Sequence, residues 1–246
     1  MGEVERGSDD ISTAEAASLL QWWSDSGVDC LVDETPRDWL RRAEPAADTA
    51  PAPAIVAPPR PALPDQLDLF HAFLRTSEEL PFAAPTAPRV CPAGDPASAA
   101  MVLTDMPTDG DCEAGVLITG EAGALFDRML AAIGRSRDSI YLAGLSCLRS
   151  PTGKIAGKER EACAELARHH IGLVAPKACL LLGDAVAKAL IGMSPTQAGG
   201  KWHKISTPSG EIDAMASFHP SHLLNRPADK KRAWADLQQF RDRIAQ

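Results

Sequence analysis

Four short apolar runs, at residues 100–104, 139–145, 178–182 and 212–218, alternate along the chain with stretches of helical period. That alternation constrains the fold more than any other feature, because runs this short and this apolar fit strands buried on both faces. The intervening stripes are clear. Leu125, Phe126, Met129, Leu130 and Ile133 stop at Gly134, and Cys163, Leu166, Ala167, His170, Ile171 and Val174 stop before Pro176. Val186, Ala187, Leu190 and Ile191 follow the third run, and Ala233, Leu237, Phe240 and Ile244 close the chain. Strands joined by helices pair in parallel and need cover on both faces. The sequence therefore predicts a three-layer α/β/α sandwich around a central, mainly parallel four-stranded sheet. Ligands of such sheets sit outside the carboxyl ends of the strands, and Asp105 and His219 each stand at one.

Ahead of this domain the composition changes twice. Residues 1–48 carry 12 acidic and 4 basic side chains, which accounts for the whole net charge of -8; residues 49–246 hold 21 of each. Ser12 and Glu15 make a capping box for a helix bearing Leu19, Leu20 and Trp23, and a second short helix is expected around residues 36–42. Residues 44–64 are rich in Ala and Pro and read as an extended linker. The expected organisation is an acidic helical arm at 1–43, the linker at 44–64 and one domain at 65–246. The charge balance of that domain leaves room for a basic face. Six dispersed cysteines, Cys30, Cys91, Cys112, Cys147, Cys163 and Cys179, include no C-x-x-C pair and suit a reducing compartment. No run approaches the roughly 20 apolar residues of a membrane span, and the acidic N-terminus has no apolar signal core. A cytoplasmic protein with no membrane partner is expected.

Residues 217–227 stand apart from this regular pattern. His219 leaves the fourth strand, Pro220 stiffens the exit, and Leu223 and Leu224 fall in a connection too short to bury both. Lys230, Lys231 and Arg232 then crowd the start of the closing helix, where the macrodipole disfavours cations unless an anion is present. A phosphate backbone supplies such an anion. Plainer readings stand beside these: a hydrogen-bonded structural histidine, a leucine stapling the closing helix, and lysines on a solvated face.

The pattern His219-Pro220-Ser221-x-Leu223-Leu224-x-x-Pro227, then Lys230, then Ala233-Trp234-x-Asp236-Leu237, resembles the second signature of the uracil-DNA glycosylase superfamily. The likeness is to its bacterial and archaeal branch, which carries an iron-sulfur cluster. Asp105, Met106 and Pro107 stand in the first signature, G-E-A-P-G. Gly115, Gly120, Ala122, Gly123 and Leu125 match G-x-P-F-x-G-x-A-G-x-L, with Leu117 and Ile118 replacing its Pro-Phe pair. Residues 141–151 align with Y-x-T-N-V-V-K-C-R-P-P, which sets Gly144 at the family's asparagine and Leu148 at a cluster cysteine.

Cleaving a base from its sugar places negative charge on the base and positive charge on the sugar. The resemblance implies that His219 donates to the departing base and that Asp105 supports the sugar cation or orients a water; Asp105 as a solvated loop residue or helix cap is the alternative. It further implies a base pocket of Met106, Pro107, Ile118 and Gly144. Ser221, Leu223, Leu224, Arg226, Lys230 and Lys231 would meet DNA, with the leucines filling the gap left by a flipped nucleotide. Of the cluster ligands only Cys163 is matched, so no cofactor is expected. The implied protein is a monomeric DNA glycosylase acting on uracil or a related base in single-stranded or damaged duplex DNA. A non-catalytic DNA-binding or protein-binding module on the same fold is the alternative, because the stacking aromatic and the edge-reading asparagine are both replaced.

Overall fold

The computed structural model describes residues 63–245, together with Ala17, Ser18, Trp22 and Trp23 of the arm, which are helical and exposed. The second helix expected in the arm and nearly all of the Pro/Ala-rich stretch lie outside the described residues. Backbone contacts divide the chain between Arg60 and Pro61.

The domain begins with α1 (Leu67–Thr76) and a two-residue strand β1 (Ala93–Gly94), then runs β2 (Ala100–Thr104), α2 (Asp109–Ala114), α3 (Gly120–Ala132) and β3 (Tyr141–Gly144). It continues through α4 (Gly157–Val174), β4 (Ala178–Leu182), α5 (Asp184–Ile191) and α6 (Pro195–Ala198). β5 (Trp202–Thr207), β6 (Gly210–Ser217), α7 (Pro220–Asn225) and α8 (Lys230–Ala245) complete it. The sheet order is β1-β3-β2-β4-β6-β5. β3, β2, β4 and β6 are parallel, as the alternation predicts, whereas β1 and β5 pair antiparallel at the two edges. The four-stranded expectation is thus corrected to six. The edge strands escape the apolar-run criterion because one is only two residues long and the other keeps Lys204 and Ser206 exposed.

Every residue of β2 and β4 is buried, which is why both read as unbroken apolar runs. Their side chains alternate between two cores. Met101, Leu103 and Leu181 join Cys163, Ala167 and Ile171 of α4 and Val186 of α5 on one face. Val102, Leu180 and Leu182 join Phe126 and Leu130 of α3 and Leu237 and Phe240 of α8 on the other. Two layers of helices around one sheet give the α/β/α sandwich.

The connection after β6 departs from the expected open loop. His219 caps α7: its Nδ1 accepts the Ser221 N–H at 3.2 Å, and Pro220 at the first helical position needs no donor partner. This short helix turns Leu223 inward, where it is 2% exposed and packed with Phe218, Ala233, Leu125 and Met129.

Candidate active site

The carboxyl ends of β2, β4 and β6, with the segment that follows β3, converge on a cleft of about 520 Å³. β2 delivers Asp105 and Met106 to it, the segment after β3 delivers Arg149, β4 runs out into Gly183 and Asp184, and β6 brings Phe218, His219, Ser221 and His222. Asp105 and His219, more than 100 positions apart in sequence, therefore face one cavity.

The hydrogen bonds of His219 fix its chemistry. Nδ1 accepts from the Ser221 backbone and lies 2.7 Å from the Ser221 hydroxyl, so the ring proton resides on Nε2. Burial pulls the imidazole down to about 4, against the opposing charge of Asp111. A neutral ring with an Nε2–H donor is the result at neutral pH. Asp105 is pushed the other way, up to about 6, by burial; the Val186 and Ala185 N–H groups act against that shift, and the charge of Asp184 adds to it. The carboxylate is ionised at neutral pH with a proton affinity well above that of an ordinary aspartate.

Asp111 holds the cleft wall in place. It accepts the Thr119 N–H at 2.7 Å, the Thr119 hydroxyl at 2.6 Å and the Thr108 N–H at 2.9 Å, tying α2 to the start of α3. Burial alone would raise its pKa, yet these donors keep it below the usual carboxylate value. Arg149 is held by Asp109 at 2.7 Å and by the Pro107 carbonyl at 3.3 Å. Sequence reasoning assigned no role to Asp111, Arg149, Asp184 or His222. Two had a readable signal: Asp111 in the Thr108-x-x-Asp111 capping box, and Arg149 at the arginine of the segment that residues 141–151 align with.

The expected base pocket assembles only in part. Met106 lines the cleft, while Pro107 is buried behind it. Ile118 lies outside the cleft, 2% exposed in the second core, with φ +56°, an unusual conformation for a β-branched residue. Arg137 holds it there by donating to the Leu117 and Ile118 carbonyls, both at 2.7 Å. Gly144 also lies outside the cleft, and a Cβ there would come within 2.6 Å of the Ser146 carbonyl. No larger residue fits this backbone.

The expected DNA-facing residues divide likewise. Ser221, Arg226, Lys230 and Lys231 are exposed, and among the described residues no carboxylate pairs with the three cations. Leu223 is a core residue, which removes it as a wedge; Leu224 remains half-buried.

A four-thiolate cluster does not fit the described residues. Leu148 is fully buried with Phe70, Leu74, Leu80 and Cys147 in an apolar corner between α1 and α4. The Cys147 thiol donates to the Leu74 carbonyl at 3.6 Å, and burial pushes Cys147 up to about 12 and Cys163 up to about 11, the protonated form in both cases. Among the described residues no group of three or more His, Cys, Asp or Glu could hold a metal ion. Nor is any described helix long and apolar enough to cross a membrane.

The α/β/α frame accords with the sequence comparison: the pattern of the Uracil DNA glycosylase superfamily matches residues 91–238, and the chain belongs to that superfamily. Among curated relatives it is similar to the Type-4 uracil-DNA glycosylase of Pyrobaculum aerophilum, 24% identical over 181 residues, which covers 71% of this chain and 92% of the relative. It is also similar to the Type-4 uracil-DNA glycosylase of Archaeoglobus fulgidus, 23% identical over 133 residues, covering 51% of this chain and 67% of the relative.

Proposed function

We propose that the chain is a monofunctional DNA N-glycosylase that removes uracil or a related damaged base. The observation that carries this reading is the tautomer of His219: a neutral imidazole, locked by Ser221, offers Nε2–H as the ring's free donor in a side chain that lines the cleft. As the glycosidic bond breaks, its electron pair leaves with the base, and a donor at the base carbonyl oxygen stabilises the charge that develops. Asp105 stabilises the sugar cation. Water then adds to the anomeric carbon, and its proton passes to the carboxylate. Among the described residues no lysine lines the cleft, so none of them presents an amine for a Schiff base with the sugar, which favours hydrolysis alone. Arg226, Lys230 and Lys231 supply the phosphate contacts.

Single-turnover incubation with a uracil-containing single-stranded oligonucleotide, followed by alkaline cleavage at abasic sites, tests the reading. Wild-type protein should give cleaved strand. The positions of Ile118 and Gly144 outside the cleft favour one competing reading, a DNA-binding or protein-binding module that has lost its base contacts. Stoichiometric wild-type protein that binds DNA but leaves uracil, hypoxanthine and xanthine in place would establish that second reading instead.

A further inference from the structure

The Asp105 carboxylate lies directly against Gly183, the residue between β4 and α5. A Cβ at Gly183 would fall 2.5 Å from Oδ2 and 2.7 Å from Oδ1 of Asp105, and the backbone there has φ +128°, which L side chains rarely adopt. Two residues into α5, the Val186 N–H donates to Asp105 Oδ1 at 2.7 Å. The main chain of Asp105 is gripped as well. Its carbonyl accepts the Leu145 N–H at 3.0 Å, and a Cβ at Gly144 would come within 3.2 Å of that carbonyl. Asp105 is therefore held at both ends by backbone N–H groups, of Val186 and Leu145, each set beside a glycine whose missing Cβ leaves room for the approach.

We propose that Gly183, Gly144 and the first turn of α5 are positioning elements for Asp105, committing Oδ1 to the protein and leaving Oδ2, above Gly183, to act on the reacting sugar. This rests on the glycosylase reading above. In that light Gly144 is a spacer that lets β3 approach the Asp105 main chain. The charged and titratable groups sharing the cleft with Asp105 are Asp184 from α5, Asp111 from α2, Arg149 after β3, and His219 and His222 after β6. Among the described residues none of these side chains donates a hydrogen bond to it, so the α5 backbone is what favours its ionised form over burial.

The test combines two readouts on the full chain: the titration of the Asp105 carboxyl carbon by NMR, and the pH profile of single-turnover uracil excision. Val186→Pro deletes the donor within the first turn of α5, where that N–H makes no intrahelical bond to lose. Val186→Ala keeps the donor and loses only packing. The proline variant should titrate at higher pH than wild type and lose about tenfold in rate at neutral pH, with the kinetic midpoint following the NMR midpoint. The alanine variant should titrate as wild type does. Gly183→Ala should lower the rate about 10²-fold by displacing the carboxylate, the scale of a lost acid-base group; if it does not fold, the Val186 pair carries the test. Equal Asp105 midpoints in Val186→Pro and Val186→Ala would overturn the proposal, whatever the activities. Midpoints that separate in a protein whose wild type excises nothing would leave the clamp standing and remove the glycosylase reading.

Discussion

The cleft at the strand ends and the apolar corner between α1 and α4 both occupy places that the superfamily's sequence signatures mark, yet they have changed in opposite ways. In the cleft, Asp105 and His219 keep polar side chains in one cavity, each with a backbone donor that fixes its geometry. In the corner, Leu148 and Cys147 fill the space with apolar contacts, and Arg89 ties the end of α1 by donating to the Leu74 carbonyl at 2.9 Å and the Ser77 carbonyl at 2.7 Å. A corner whose purpose is to hold elements together can exchange one kind of attachment for another. A cleft that is to meet a transition state, as the glycosylase reading proposes, cannot.

The sharpest way to break this contrast is to truncate each region. His219→Ala and Asp105→Ala should each lower single-turnover excision by about 10²-fold or more, with little change in DNA affinity, because these groups act mainly on developing charge. Leu148→Ala should do the reverse. Denaturant melts should show it destabilised by about 2–5 kcal/mol, the range for emptying a well-packed leucine site, while the folded fraction keeps its excision rate. A stable Leu148→Ala protein with a lost rate would mean that the corner takes part in catalysis.

The pH dependence sharpens the comparison inside the cleft. Excision should rise with pH through about 6, as Asp105 loses its proton, and Asp105→Asn should abolish that limb. His219, already neutral there, contributes none. Their effects on stability oppose each other. Asp105 binds its proton more tightly folded than unfolded, so its contribution is full below 3.8 and is lost as pH rises through about 6. The contribution of His219 is full above 6.5 and is lost as pH falls through about 4. Melts of Asp105→Asn and His219→Ala across this window should therefore deviate from wild type with slopes of opposite sign. The smallest expected effect lies at the DNA-facing rim, where Lys230→Ala should reduce the salt slope of DNA binding by about one, uniformly across sequences.

The parallel core was legible because β2 and β4 are buried on both faces and the stripes of α3, α4 and α8 have a single period. β5 was not, since Lys204 and Ser206 answer to an open edge rather than to the core. α7 was hidden for a different reason: six residues carry too little period, and the cap that starts the helix is a histidine side chain. At the site, Asp105 and His219 followed from strand ends and motif together. Ile118 and Gly144 were assigned by alignment alone, and neither the positive φ of the one nor the close backbone approach of the other can be read from residue type. Of the two leucines, Leu223 is the one that staples the closing helix through Ala233, and its further contact with α3 is distant in sequence and could not be read from the loop.

The hairpin of β5 and β6 sets the open edge of the sheet, apart from the strand pair β4 and β6 that aims the histidine. Thr207 pairs with Gly210 across only Pro208 and Ser209, so a two-residue connection fixes the pairing of the whole ladder up to Trp202 opposite Met215. A strand shifted by one residue presents each side chain to the opposite face of the sheet. An insertion at Pro208, at the opposite end of β6 from the cleft, would thus bulge locally or slip the edge strand β5, because β6 keeps its own register against β4, with Leu182 opposite Ser217. The length of that distant turn is in effect a gauge for the open edge alone, and His219 keeps its place whichever way the edge strand settles.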